Sequence, residues 1–80
     1  MLADLAKGKK AVGLRAVTKA MEKDQVLEAF VAGDADMFIR AKIETFCNEK
    51  RIRLTPVATM EELGKACGID VGASAAALLK

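Results

Sequence analysis

The first quarter of the chain combines a weakly patterned start with one clear amphipathic segment. Residues 2–10 have no sustained apolar period and are expected to form a short, frayed helix or arm. Residues 11–12 fit a short strand that ends at Gly13. Apolar side chains then recur at i, i+3 and i+7 from Leu14, the spacing of one helical face, so we predict a helix that runs to about Lys23.

A strand and a longer helix are predicted in the middle of the chain. The run Val26–Ala32 is almost continuously apolar, with β-branched and aromatic members, and predicts a strand that is covered on both faces. Residues 33–36 form a loop whose acids can cap the next helix. From about Met37 to Lys50 the apolar residues gather on one side of a predicted helix, and they are Ile39, Ile43, Phe46 and Cys47.

The last third of the chain contains a strand, a capped helix and a second strand. Residues 52–55 alternate between apolar and polar side chains and predict a strand that ends at Pro56. Thr59 and Glu62 have the spacing of a capping box, which opens a short helix with Gly68 as its left-handed cap. A loop and a buried last strand follow, at residues 69–72 and 73–79.

The alternation of strands and helices indicates the α/β fold class, with one sheet that carries helices on both faces. A chain of 80 residues is expected to form a single domain, residues 1–80. Hydrophobic residues make up 52% of it, mostly small aliphatic ones, with three Phe and no Trp or Tyr. Such side chains suit helices packed closely on a sheet. The pattern does not give the direction of the last strand.

The composition removes several classes of active site. The chain has no histidine, which excludes a Ser-His-Asp triad, a Cys-His pair and every zinc site with a histidine ligand. Cys47 and Cys67 are too few for a structural zinc cluster, although two cysteines suffice for one disulfide. The sequence also lacks a phosphate-binding loop and a convincing pair of nucleophile and base. We therefore expect no enzyme, no metal site and no cofactor.

Signals for export or membrane insertion are missing from the pattern. Residues 1–7 include Asp4 and no long apolar run, unlike a signal peptide. The longest stretch without charge, residues 71–79, has nine residues, whereas a membrane-spanning helix needs ~20. A soluble, cytoplasmic protein without a membrane partner is expected.

Charge is distributed unevenly, although 13 cations and 11 anions leave a net charge of only +2. Residues 1–23 carry six cations and two anions. No Ser, Thr, Asp or Asn precedes the helix that follows Gly13, so its first amides lack a side-chain cap and favour phosphate or base acceptors. The cations of this helix stand four residues apart and form a basic stripe, namely Arg15, Lys19 and Lys23. The stripe fits a site for a polyanion, and it equally fits solvated lysines whose repulsion Glu22 offsets.

Three segments carry a family resemblance. Residues 63–73, Leu-Gly-Lys-Ala-Cys-Gly-Ile-Asp-Val-Gly-Ala, are very similar to the signature loop of the L-seven-Ae family of kink-turn-binding ribosomal proteins, above all to its small bacterial members. Residues 13–20 resemble that family's other RNA-binding motif, and residues 31–36 resemble its central loop. The motifs occur in the family order, and the resemblance extends over residues 11–79.

The resemblance implies a three-layer αβα sandwich with a four-stranded mixed sheet, in which the last strand is antiparallel to its neighbours. It implies binding to kink-turns, RNA helices bent at a three-nucleotide bulge beside tandem sheared G·A pairs, with ribosomal RNA among the candidate targets. A monomer is expected. One helix of the family enters the widened groove at the G·A pairs, and the signature loop covers the bulged nucleotides. Proteins generally recognise RNA at such irregular places, because the A-form major groove is closed to side chains.

Residue roles follow from the resemblance by position. Gly13 allows close backbone approach, while Arg15 and Lys19 face guanine edges or phosphates. Asp36 matches a loop acid near a flipped base, and the aliphatic residues of the signature loop pack on the bulged nucleotides. The full set of implied RNA contacts is Gly13, Leu14, Arg15, Ala16, Lys19, Asp36, Ile69, Asp70, Val71, Gly72 and Ala73.

Two positions depart from the family pattern. Leu14 stands where the family usually has Thr or a small residue, and Ala16 stands where it has Gln or Glu that bonds a guanine. Loss of one such base contact costs ~1–3 kcal/mol. The departure at Ala16 favours the alternative function, a protein-interaction member of the same fold group with weak or no RNA binding, whereas Arg15 and Lys19 oppose it.

Overall fold

The computed structural model of the chain describes residues 2–80. A short 3-10 turn at Leu2–Asp4 is followed by four strands and three α-helices, in the predicted alternating order. Their bounds are β1 Lys10–Val12, α1 Leu14–Glu22, β2 Val26–Ala32, α2 Met37–Lys50, β3 Arg53–Val57, α3 Met60–Cys67 and β4 Ala75–Leu79.

The four strands form one mixed sheet in the order β1-β4-β2-β3. Strand β4 is antiparallel to β1 and to β2, and β2 is parallel to β3. Ala76 of β4 lies between Val12 and Phe30, while Val31 pairs with Pro56 at the other side of β2. The expected mixed sheet, with its last strand antiparallel to both neighbours, is confirmed.

Two hydrophobic clusters lie on opposite faces of this sheet and produce the three layers. The first cluster joins β2 and β4 to α1 and α2 through Val17, Met21, Ile43 and Cys47. The second joins the same strands to α3, and its largest member is Phe30. The central strand β4 contributes only alanines at its most buried positions, because helices pack closely on both of its faces; these are Ala75, Ala76 and Ala77, each 0% exposed.

The N-terminal segment differs from the frayed helix or arm that we expected. Helical structure is confined to Leu2–Asp4, and Lys10 already belongs to β1. Leu5 is fully buried in the second cluster, and Leu2 packs against it. A single leucine gives no period in the sequence, but burial of its side chain is worth ~2 kcal/mol. The segment is therefore part of the layer that contains α3.

Three strand predictions need correction. Leu27 in β2 is exposed next to an irregularity in the β2–β4 pairing, so only the later part of β2 is covered on both faces. Strand β3 begins at Arg53 and continues through Pro56 to Val57, because an edge strand tolerates a residue that has no amide hydrogen. Strand β4 begins only at Ala75, and the loop before it is correspondingly longer.

Candidate functional site

All three helices begin at one edge of the sheet. Strands β1, β2 and β3 run in the same direction and each is followed by a helix, so their ends and the start of β4 meet there. The Gly13 amide donates to the Ala75 carbonyl at 2.8 Å and the Ala32 amide to the Ser74 carbonyl at 3.0 Å. The Gly33 amide donates to the Val57 carbonyl at 2.7 Å. We call this side of the molecule the helix-start edge.

Two of the three helix starts are capped by side chains. Asp36 caps α2 by accepting a hydrogen bond from the Phe38 amide at 2.8 Å, which confirms the prediction that an acid of this loop caps the helix. Thr59 caps α3 by accepting from the Glu62 amide at 3.1 Å. Asp34 adds an unexpected second contact, because its carboxylate accepts from the Met60 amide at 2.8 Å and thereby joins the β2–α2 loop to α3. The second bond of a capping box, from the Thr59 amide to the Glu62 carboxylate, is not formed among residues 2–80.

The start of α1 has no such cap. Gly13 occupies the capping position with φ 92°, and no side chain among residues 2–80 caps the first amides of α1. This positive φ favours glycine over any residue with a Cβ. Free amides and the positive end of the helix dipole attract anions. The first turn of α1 contains no acidic residue that would neutralise this end.

The basic stripe of α1 extends from that uncapped start along the outer side of the helix. Its three members, Arg15, Lys19 and Lys23, are exposed, while Val17, Ala20 and Met21 are buried on the opposite side. Ala16, Lys19 and Lys23 also line a shallow groove of about 220 Å³ beside Ala11 and Leu79. The stripe is thus accessible over two turns and continuous with the free amides.

Residues 63–67 of the family-like segment belong to α3, and residues 68–74 form the loop itself, for which we keep the name signature loop. Helix α3 holds this loop at the same edge. Gly64 of α3 has the Val71 carbonyl so close that a Cβ would overlap with it. The Ala73 amide donates to the Met60 carbonyl at 3.0 Å. Gly68 ends α3 with φ 81°, the predicted left-handed cap. Val71 is 70% exposed, and Asp70 and Gly72 are exposed as well.

Three of the implied RNA contacts lie wholly or partly in the core. Ala73 is 3% exposed and belongs to the second core cluster, so its side chain does not reach a ligand in this conformation of the loop. Leu14 is half-buried and packs against the first cluster, as its helical face with Val17 and Met21 indicated. Ile69 is also half-buried, against the second cluster. The other assigned residues, namely Gly13, Arg15, Ala16, Lys19, Asp36, Asp70, Val71 and Gly72, are exposed or partly exposed at or beside the helix-start edge.

Arg40 lies at this edge and was not singled out from the sequence. It belongs to α2, and its Nη1 donates to the Gly33 carbonyl at 3.1 Å, where β2 leaves the sheet. In the sequence it looks like an ordinary polar residue of an amphipathic helix. The signal that identifies it is its position one turn after the Asp36 cap, which places a long side chain within reach of the preceding loop.

The two cysteines contribute to packing. Cys47 and Cys67 are free thiols in different core clusters, so they do not form the disulfide that their number allowed. Burial raises the pKa of the Cys47 thiol to about 11, and it raises the pKa of Cys67 as well, against a smaller opposing effect of Lys10. Both thiols are therefore protonated at neutral pH.

Residues 2–80 contain no group of three or more Cys, Asp or Glu side chains that could hold a metal ion. No helix among these residues is long and apolar enough to cross a membrane.

Comparisons with known proteins identify relatives over nearly the whole chain. The family model described as ribosomal protein L7Ae/L30e/S12e/Gadd45 family matches residues 2–80. The RNA-binding protein BH0128 of Halalkalibacterium halodurans is 44% identical over 69 residues, 86% of this chain and 84% of that protein. The RNA-binding protein YbxF of Geobacillus stearothermophilus is 40% identical over 76 residues, 95% of this chain and 93% of that protein.

The fold agrees with solved structures of lower sequence similarity. The 15.5 kD RNA-binding protein of Giardia lamblia superposes with a TM-score of 0.90 at 21% identity, over 99% of this chain and 70% of that one. A protein of unknown function from Bacillus halodurans superposes with a TM-score of 0.88 at 22% identity, over 99% and 83% of the two chains. With the family model over residues 2–80 and two relatives at 40% identity or more, the chain belongs to the ribosomal protein L7Ae/L30e/S12e/Gadd45 family.

Proposed function

We propose that this chain is a noncatalytic RNA-binding protein that recognises kink-turns through its helix-start edge, in a ribosomal or regulatory setting. The observation that carries the proposal is the start of α1, where the uncapped amides of the first turn after Gly13 lie beside the exposed cations Arg15 and Lys19. The names of the two relatives, both RNA-binding proteins of similar length, support RNA as the ligand.

In the proposed complex, α1 lies against the sheared G·A pairs. Arg15 is able to donate two bonds to the O6 and N7 atoms of a guanine, which is a specific contact. Lys19, one turn further, contacts guanine or phosphate, and Lys23 contacts phosphate. A phosphate contact positions the RNA, whereas a base contact distinguishes one RNA from another.

The signature loop covers the bulged nucleotides in this arrangement. Val71 is the apolar side chain that is free to do so, since it is 70% exposed on a loop braced by α3. The exposed part of the half-buried Ile69 side chain adds to this apolar contact. The buried Ala73 side chain contributes only by fixing the path of the loop backbone. Asp36 stays near the bulge while its carboxylate caps α2.

A protein-interaction role is the second candidate, and Ala16 is the observation that favours it. Ala16 is exposed at the first turn of α1, where a polar side chain would reach the RNA. Its methyl group offers no hydrogen bond, so kink-turn affinity should be lower than with a polar residue at this position. The two functions predict different results with RNA.

Titration with two RNAs tests the proposal. One is a standard kink-turn, and the other has the same length and bulge but Watson–Crick pairs in place of the sheared G·A pairs. Because the G·A pairs supply the base contacts, we expect binding to the first RNA to be tighter by at least tenfold, or about 1.4 kcal/mol. Fluorescence anisotropy at a fixed salt concentration measures both affinities.

The control variant is Arg15→Ala, which should reduce kink-turn binding more than binding to the substituted RNA. Equal and weak binding of both RNAs by the unmodified protein would leave only nonspecific electrostatic attraction. Absence of binding to either RNA would favour the protein-interaction role.

A further inference from the structure

Arg40 has an unusual environment at the helix-start edge. Its side chain is half-buried and runs from α2 to the end of β2, where Nη1 donates to the Gly33 carbonyl at 3.1 Å. The Gly33 amide is bonded to the Val57 carbonyl, so Gly33 is a firm attachment point in the sheet. The guanidinium is thereby held at the edge that α1 and the signature loop also occupy.

The guanidinium lacks the partners that a partly buried charge normally has. Its Nε atom is buried and has no hydrogen-bond acceptor among residues 2–80. The acids of the adjacent loop are bonded to backbone amides instead, Asp36 to Phe38 and Asp34 to Met60. No ion pair joins Arg40 to a carboxylate of the part of the chain that the structure describes. The outer N–H groups of the guanidinium therefore carry a charge that no carboxylate neutralises, and an anionic ligand that reaches them from solvent would form charge-assisted hydrogen bonds.

We propose that Arg40 binds a phosphate of the RNA at the helix-start edge, as a cationic contact separate from the basic stripe of α1. The inference rests on the proposed RNA-binding function and adds a residue and a ligand group to it. Phosphate is the ligand that fits, because a guanidinium presents parallel N–H groups that match two phosphate oxygens. The bond to the Gly33 carbonyl uses one of the five N–H donors of the guanidinium and fixes the orientation of the remaining donors.

The salt dependence of binding is the measurement that isolates a phosphate contact. Each neutralised phosphate contributes about 0.7–0.9 to the slope of log affinity against log salt concentration. Arg40→Gln should therefore lower the slope by about that amount and weaken kink-turn binding by about tenfold at low salt. The matched control is Arg53→Gln, which removes the same charge from an exposed residue at the start of β3, the opposite end of the sheet. The control should leave the slope unchanged.

Arg40→Lys separates the charge from a purely structural role. Lysine keeps the cation, so it should restore most of the slope even if the bond to Gly33 is weakened. Equal salt-dependence slopes for Arg40→Gln and Arg53→Gln would contradict the proposal. So would a loss of affinity in both Arg40 variants with an unchanged slope, because Arg40 would then only support the loop. These outcomes can be distinguished from failure of the proposed function, which is tested by how the unmodified protein discriminates between the two RNAs. A protein that binds neither RNA would overturn both.

Discussion

Leu14 and Ala16 stand two positions apart at the start of α1 but lie in different environments. Leu14 packs against the first core cluster, whereas Ala16 is exposed and lines the shallow groove with Lys19 and Lys23. Replacing Leu14 by a smaller polar residue would therefore cost stability. Ala16 tolerates change, because the difference between Ala and Gln in a helix is only a few tenths of a kcal/mol.

We predict that Ala16→Gln tightens binding to a kink-turn. The new amide would supply a hydrogen bond that the RNA now gives to water, for a net gain of ~0.5–1.5 kcal/mol. The matched control is Ala41→Gln, the same substitution at an exposed position of α2. Affinity by anisotropy and melting temperature by circular dichroism measure the two effects. An unchanged affinity with an intact fold would mean that α1 does not dock on G·A pairs.

At the scale of elements, α3 and the signature loop form one unit. The Gly64 carbonyl accepts the Ile69 amide at 3.1 Å, and the Met60 carbonyl accepts the Ala73 amide at 3.0 Å. Asp34 joins this unit to the β2–α2 loop through the Met60 amide. The close approach of the Val71 carbonyl to Gly64 leaves no room for a side chain between helix and loop.

We predict that Gly64→Ala destabilises the protein by ~1–3 kcal/mol, the usual cost of overpacking, although alanine is the better helix former. The added methyl group would push the loop away from α3, so RNA affinity should fall as well. Gly72→Ala is the comparison for stability alone, since Gly72 itself belongs to the proposed RNA contacts; its Cβ would lie 3.2 Å from the Met60 Cβ, a milder contact than the overlap at Gly64. Chemical denaturation should rank the two losses in this order. A stable Gly64→Ala variant with full affinity would show that the loop position is not critical.

At the scale of the whole molecule, the layer on the α3 side depends on the N-terminal segment. Helices α1 and α2 both cover the first face of the sheet, while the second face has α3 and the chain around Leu5. Leu5 and Leu63 are both 0% exposed and belong to one cluster with Phe30. The segment before β1 is therefore needed to complete the core.

We predict that Leu5→Ala lowers the free energy of unfolding by ~2–5 kcal/mol, the range for a fully buried leucine. Leu27→Ala is the control, since Leu27 is 55% exposed and its truncation should have little effect. Urea denaturation followed by circular dichroism gives both values. Equal effects of the two substitutions would mean that the N-terminal segment packs only loosely on the sheet.

The local features of this fold could be predicted from the sequence because neighbouring residues create them. The helical face of Ile39, Ile43, Phe46 and Cys47 packs on the first cluster as its period indicated. Thr59 and Gly68 cap α3 through bonds to residues three or four positions away. The uncapped start of α1 and its exposed basic stripe also depend only on residues that are adjacent in the chain. The roles of these residues toward RNA stay predictions.

Contacts between distant segments decided the rest. The direction of β4 between β1 and β2, the burial of Leu5 and Ala73, and the position of Pro56 on an edge strand all depend on which elements become neighbours. Asp34 obtained its partner, the Met60 amide 26 residues away, in the same way, at the edge where three helices begin. Periodicity reports which side of an element is apolar, but it does not report what covers that side. Only the packed sheet brought these residues together, because side chains far apart in sequence meet through the burial of shared apolar surface.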